Sequence, residues 1–461
     1  MTRSKRPSPA RLAGAAALAA ALTPTLALAE EAAPAAAAIN GADTAWVMTS
    51  AALVLLMTPG LALFYGGMVR AKNVLSTLMH SFLCIALVTV QWVVIGYSLS
   101  FGEGNAFIGG LDHLFLAGVT NEALPGYGIP QSVFVVFQLM FAIITPALIS
   151  GAFAERMKFK AYVIFTLLWA TLVYDPICHW VWGPGGWLGA GSDWHALDFA
   201  GGTVVHVSSG VAGLAVALAI GPRSNKEIDA RPNNLGFTIL GAGLLWFGWF
   251  GFNAGSALGA NATAAHAFMV THVAAACAAL AWTVVERIHK GRITVLGAAS
   301  GAVAGLVGIT PACGFVGLGG AIVIGCGAGA VCYIGVLLKD RFGYDDSLDA
   351  FGLHGVGGTW GALATGFFAA AAVGGTAGVF EGGELRIVLN QVVGVLATAA
   401  YSFVVTYIIA AILKKTVGLR VTAEEEAEGL DVSLHGEKGY DLVEPTPALA
   451  RASRPAEGAA H

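Results

Sequence analysis

The run Asp198-Phe-Ala-Gly-Gly-Thr-Val-Val-His206-Val-Ser-Ser-Gly210 opens a stretch that stays free of Asp, Glu, Lys and Arg from Phe199 to Pro222, just before Arg223. A helix needs about 20 apolar residues to cross a bilayer. This window carries one side chain that titrates near neutral pH, His206, and its glycines let a neighbouring backbone approach closely. The same composition recurs along the chain. Candidate spans, free of charge save for Asp175 in the fourth, fall at 44–66, 74–98, 131–153, 161–182, 202–220, 235–257, 263–285, 294–310, 316–338, 351–373 and 387–413, separated by short polar loops. The pattern predicts an all-α integral membrane protein with eleven transmembrane helices.

Composition agrees. Of 461 residues 56% are hydrophobic and 11% charged, where a soluble domain carries about 25% charge. So few charges cannot coat a soluble fold of this size. A net charge of -4 argues against nucleic-acid binding, and the hydrophobicity excludes disorder except at the ends. The six cysteines (Cys84, Cys178, Cys277, Cys313, Cys326, Cys332) form no CxxC. They read as small buried apolar side chains rather than a disulfide framework or zinc site.

Arg3, Lys5, Arg6 and Arg11 precede an Ala/Leu-rich run ending in Ala27-Leu28-Ala29, so residues 1–29 read as a cleavable signal peptide. Residues 30–43 then form an extracytoplasmic linker. Basic side chains gather in every second loop, at Arg70/Lys72, Arg156/Lys158/Lys160, Arg223/Lys226/Arg231, Arg287/Lys290/Arg292, Lys339/Arg341 and Lys414/Lys415. The alternate loops hold only Arg386. The positive-inside rule therefore puts the N-terminus out and the C-terminus in, as an odd number of spans requires. Eleven spans divide as a five-plus-five inverted repeat plus one. Residues 44–415 are expected to form the membrane domain, and 416–461 a cytoplasmic tail whose distal part is expected to be disordered.

Polar groups inside a membrane are expensive, so each is a functional candidate. Three segments carry them: Asp198 to Gly210, Gly248-Trp-Phe-Gly-Phe-Asn-Ala-Gly-Ser256, and Asp349-Ala-Phe-Gly-Leu-His354-Gly-Val-Gly-Gly358. Asp198 and Asp349 each precede a helix, where a carboxylate caps free N–H groups or meets a substrate directly. His206 and His354 lie on the last helix of each repeat and enter from opposite sides, so they can meet near the midplane. Asp175 is expected to face the outer vestibule, with a structural role favoured and no site role assigned, and His179 stays open in the same way. His80 and His272 read as core histidines, and Asp345-Asp346 as capping or packing the tenth span.

These segments resemble the ammonium transporter (Amt) family over about residues 40–440, and 198–223 is close to its signature stretch. The resemblance implies an outer cation site at Trp182 and Ser256, floored by the stacked rings of Phe141 and Phe252. It implies a twin-histidine pore at His206 and His354, with Asp198 as structural support, joined here by Asp349 and Asn253. It also implies a homotrimer in the cell (inner) membrane with one pore per subunit, no cofactor, no metal and no enzymatic activity. The tail from Thr416 to Glu437 is similar to one implicated in subunit coupling and in docking PII-type regulatory proteins. An ammonium sensor signalling through that tail is the alternative. A His pair on two membrane helices also suits haem b, and a Rhesus-type ammonia channel shares the twin histidines.

The chemistry fits ammonium. It matches potassium in charge and nearly in size, but it donates hydrogen bonds and can lose a proton. An aromatic cup attracts the desolvated cation by about 2 kcal/mol. Carrying the intact ion through an apolar pore costs on the order of tens of kcal/mol in a bare low-dielectric setting. Removing a proton from a Lys-like amine near neutral pH costs only about 4 kcal/mol.

Overall fold

The computed structural model describes residues 38–224 and 231–440. The expected signal peptide, most of the expected linker and the expected distal tail lie outside the described residues. The helices are α1 (Gly41–Met68), α2 (Ala71–Phe101), α3 (Gln131–Phe153), α4 (Phe159–Trp182), α5 (Gly202–Ile220), α6 (Leu235–Ala254) and α7 (Ala262–Lys290). They continue as α8 (Val295–Ile309), α9 (Leu318–Phe342), α10 (351–368) and α11 (Arg386–Thr416). Among the described residues nine of these, all but α8 and α10, are long and apolar enough to cross a membrane. Each coincides with one of the candidate spans to within several residues. Phe82, Leu240, Leu280 and Leu396 stand exposed on the outside of the bundle, as an apolar solvent permits.

Helix starts are set by side-chain caps. Asn40, Asn234, Asn261 and Thr294 each accept backbone N–H groups at the heads of α1, α6, α7 and α8. Gly291 and Gly343, at φ 73° each, end α7 and α9 in the left-handed region that favours glycine. The sequence carries no signal for a second local feature. Wide π turns interrupt α2 (Trp92–Gly96) and α4 (Ala170–Tyr174), open α5 (Gly202–Val207) and α10 (Phe351–Gly355), and close α6 (Phe250–Ala254). Such turns concentrate at functional sites.

α5 and α10 run into the bundle from opposite ends and cross at glycine. A Cβ on Gly210 would overlap the Gly355 backbone, and one on Gly358 would crowd His206. That bare contact brings the two histidine turns together. Two short helices, α12 (Ala423–Glu428) and α13 (Leu430–His435), pack on one end of the bundle. Asp431 accepts N–H bonds from Leu75 (3.0 Å) and Ser76 (2.8 Å), capping the first turns of α2 from the tail.

Three expectations change here. His272, read as a core histidine, is exposed on α7. Asp175 is fully buried between α2 and α4, accepting from Gln91 Nε2 at 2.7 Å with Ser100 Oγ at 3.4 Å, instead of facing a vestibule. The π turn just before it inserts an extra residue, and at about 100° per residue that re-aims the helix face beyond it. Among the cysteines Cys326 is exposed and Cys277 half-buried, because both stand on the outer side of α7 and α9.

Candidate functional site

A vestibule of about 640 Å³ opens at the end of the bundle opposite the tail. Trp182, Ser256, Phe141 and Asp198 all line it. Trp182 stands edge-on to Phe141 with ring centroids 5.8 Å apart, and its Nε1 donates to the Asp198 carbonyl at 3.0 Å. The Ser256 hydroxyl donates to the Phe252 carbonyl at 2.8 Å, which leaves its oxygen lone pairs free to accept from a ligand.

Phe141 and Phe252 form the floor. Their centroids are 4.4 Å apart, Phe141 faces the vestibule, and Phe252 faces a second chamber below. That chamber offers about 10 Å³ to the centre of a water-sized molecule, and its walls are mainly Met57, Leu61, Ile144, Leu148 and Leu245. A space of that size holds about one water. Its polar groups are His206 and His354.

The two imidazoles lie nearly parallel, 17° apart, with centroids 5.3 Å apart and Nδ1 to Nδ1 3.3 Å. A hydrogen bond between like atoms needs one donor and one acceptor, so at most one Nδ1 carries hydrogen. The pair therefore cannot be doubly protonated in this arrangement. His206 Nε2 is buried in the chamber wall without a hydrogen-bond partner among the described residues. Trp249 and Phe252 stack on His206 at 5.4 and 5.9 Å. Trp249 stood unmarked inside the quoted 248–256 segment; its spacing of three from Phe252 was the available signal.

Each histidine turn hangs from a carboxylate. Asp198 accepts from the N–H groups of Gly201 (2.8 Å), Gly202 (2.5 Å), Thr203 (2.8 Å) and Val204 (3.2 Å), and from the Thr203 hydroxyl. At α10 the matching acceptor is Asp346, which takes Ala350 N (3.0 Å) and Phe351 N (2.8 Å). Asp349 does not cap the turn as expected. It sits at φ 61° and turns its carboxylate to Lys339 of α9. Burial, then the neighbouring Asp349, pushes the Asp346 carboxyl up to about 6, against the pull of Lys339. Asn253 ties α6 to its neighbours, donating to Thr271 at 2.9 Å with Thr310 Oγ1 3.3 Å away. It does not line either chamber.

The tail end of the bundle holds a buried charge network. Glu155 pairs with Arg70 (3.0 Å) and Arg223 (2.9 Å), and Arg223 with Asp345 (2.9 Å). Burial favours the neutral acids, but the guanidiniums outweigh it and hold both carboxyls below their ordinary values. Asn73 donates to Glu155 at 2.9 Å and accepts the Leu430 N–H of the tail at 2.8 Å.

Residues 45–440 match the model of the Ammonium Transporter Family. An ammonium transporter of Bacillus subtilis is 54% identical over 404 residues, covering 86% of this chain and 98% of that protein. The crystal structure of Candida albicans Mep2 superposes with a TM-score of 0.79 at 35% identity, covering 84% of this chain and 88% of that one. A structure titled Sensor Amt Protein matches with a TM-score of 0.79 at 29% identity, covering 86% and 98%.

Proposed function

The chain belongs to the Ammonium Transporter Family, and from that premise we propose how its pore conducts ammonium. The cation enters the vestibule, where the rings of Trp182 and Phe141 attract it and the Ser256 oxygen accepts one N–H. It loses a proton at the Phe141–Phe252 floor. Ammonia then passes the apolar chamber, while His206 and His354 relay the proton through their shared Nδ1 hydrogen, so transport carries charge. Potassium has no proton to give and no second route.

The observation that carries this reading is the change across the aromatic floor. Above it lies an open cavity with an available acceptor, and below it an apolar chamber holding about one water. The cation's desolvation cost rises steeply there and that of ammonia does not. Uptake into proteoliposomes tests the reading. Ammonium and methylammonium should enter and potassium should not, and equal potassium entry would contradict it.

The finer architecture is part of the same proposal: eleven spans in a five-plus-five inverted repeat plus one, N-terminus out, in the cell membrane. Asp198 and Asp346, each hanging a histidine turn from a carboxylate, support the repeat. A homotrimer with a PII-type partner at the tail is proposed from the family resemblance. A second reading, an ammonium sensor signalling through the tail, is supported by the contacts of Asp431 with α2 and of Leu430 with Asn73. Deleting residues 416–461 separates the two: a transporter keeps its flux, while a sensor loses its partner response.

A further inference from the structure

One face of α3 forms a continuous wall from the vestibule to the chamber. Phe134, Gln138 and Phe141 line the vestibule, and Ile144 and Leu148 the chamber below. These residues follow one another at three- and four-residue steps, the spacing of a single helix face. Gln138 is the polar member of this stripe. It lies one turn from Phe141 on the vestibule side, is 8% exposed, and its Oε1 is buried without a hydrogen-bond partner among the described residues. An unpaired buried carbonyl costs about 1–3 kcal/mol, and a leucine would fill an apolar stripe without that cost.

Two other polar groups beside Phe141 are committed. The Trp182 indole can only donate and is bound to the Asp198 carbonyl, and the Asp198 carboxylate already receives five hydrogen bonds. Ser256 offers acceptor capacity, and ammonium has four N–H groups to place.

We propose that Gln138 is a specificity-determining residue of the vestibule, whose amide oxygen accepts an N–H of the cation seated against Phe141 while Ser256 accepts another. A terminal amide exchanges its oxygen and nitrogen by rotating half a turn, so one of its two settings turns the acceptor to the cation. The oxygen is neutral. It therefore orients the cation and adds affinity without trapping it as a carboxylate would. This assignment rests on the vestibule being the ammonium entrance.

The test is the concentration dependence of ammonium and methylammonium currents in proteoliposomes for the wild type, Gln138→Leu and Gln138→Glu. Gln138→Leu replaces an acceptor with apolar surface that a methyl group can use and an N–H cannot. Half-saturation for ammonium should rise about tenfold, equivalent to about 1.4 kcal/mol. The maximal current should stay within about twofold, and preference should move toward methylammonium. Gln138→Glu keeps an acceptor and should hold half-saturation at or below the wild-type value. Unchanged half-saturation in Gln138→Leu overturns the assignment, as does a loss of maximal current alone, which marks a packing role. Should Gln138→Leu fail to fold, Gln138→Glu still decides, because weaker ammonium binding in that variant contradicts the proposal. A wild type that carries no ammonium current overturns instead the reading of the pore on which this assignment rests.

Discussion

At the scale of single residues, function depends on a few polar atoms held in an apolar setting. The two histidines share one hydrogen across 3.3 Å, so removing either ring would break the proposed relay. His206→Ala and His354→Ala should each lose ammonium current or lose discrimination against potassium, and unchanged current and selectivity in both would contradict the relay. Asp198 has a different task. Its carboxylate gathers five hydrogen bonds at the head of α5, so Asp198→Ala should cost about 3 kcal/mol of stability. Thermal unfolding in detergent reads this, and an unchanged midpoint would remove Asp198 from its structural role. Both histidines and Asp198 were legible in the sequence, because a titratable group in an uncharged window stands out. Asp346 and Trp249 were harder to assign. Choosing between Asp346 and Asp349 as the cap depends on a positive φ at residue 349, and Trp249 looks like any membrane tryptophan until His206 stacks on it.

At the scale of elements, the long apolar runs made the helices readable almost to their ends. A bilayer demands length and lack of charge, and both are properties of composition. The π turns were not readable, because an extra residue in a turn changes neither composition nor hydrophobic content. Yet they aim His206, Phe252 and His354 at one axis, and one of them carried Asp175 away from the vestibule where the sequence put it. The crossing of α5 and α10 depends on contact at Gly210 and Gly355. Gly210→Ala should push the two turns apart and abolish transport while the protein still reaches the membrane. Measured flux per inserted molecule checks this, and wild-type flux would show that the bare crossing is dispensable.

At the scale of the whole molecule, the scarcity of charge marks the apolar interior and the few charges concentrate at the tail end. Glu155 and Asp345 are held below their ordinary values by Arg70 and Arg223. A depressed carboxylate contributes stability that is complete above its unfolded value and is lost as pH falls through the folded one. The unfolding midpoint should therefore drop below about pH 4. Glu155→Gln should lower stability at neutral pH by about 3 kcal/mol, since Arg70 and Arg223 lose a buried partner, and should flatten the acid slope of the midpoint. An acid slope equal to the wild type would place the pH dependence elsewhere.

In the proposed mechanism the proton and ammonia part company at the aromatic floor, so that ammonium passes and potassium does not. Currents from proteoliposomes on a solid-supported membrane, pulsed with ammonium or potassium at equal concentration, test it most directly. Ammonium should give a current and potassium none in the wild type, and the His206→Ala/His354→Ala double variant should lose either the ammonium current or the discrimination against potassium. A potassium current comparable to that of ammonium in the wild type would contradict it, because it would mean that intact ions cross the chamber.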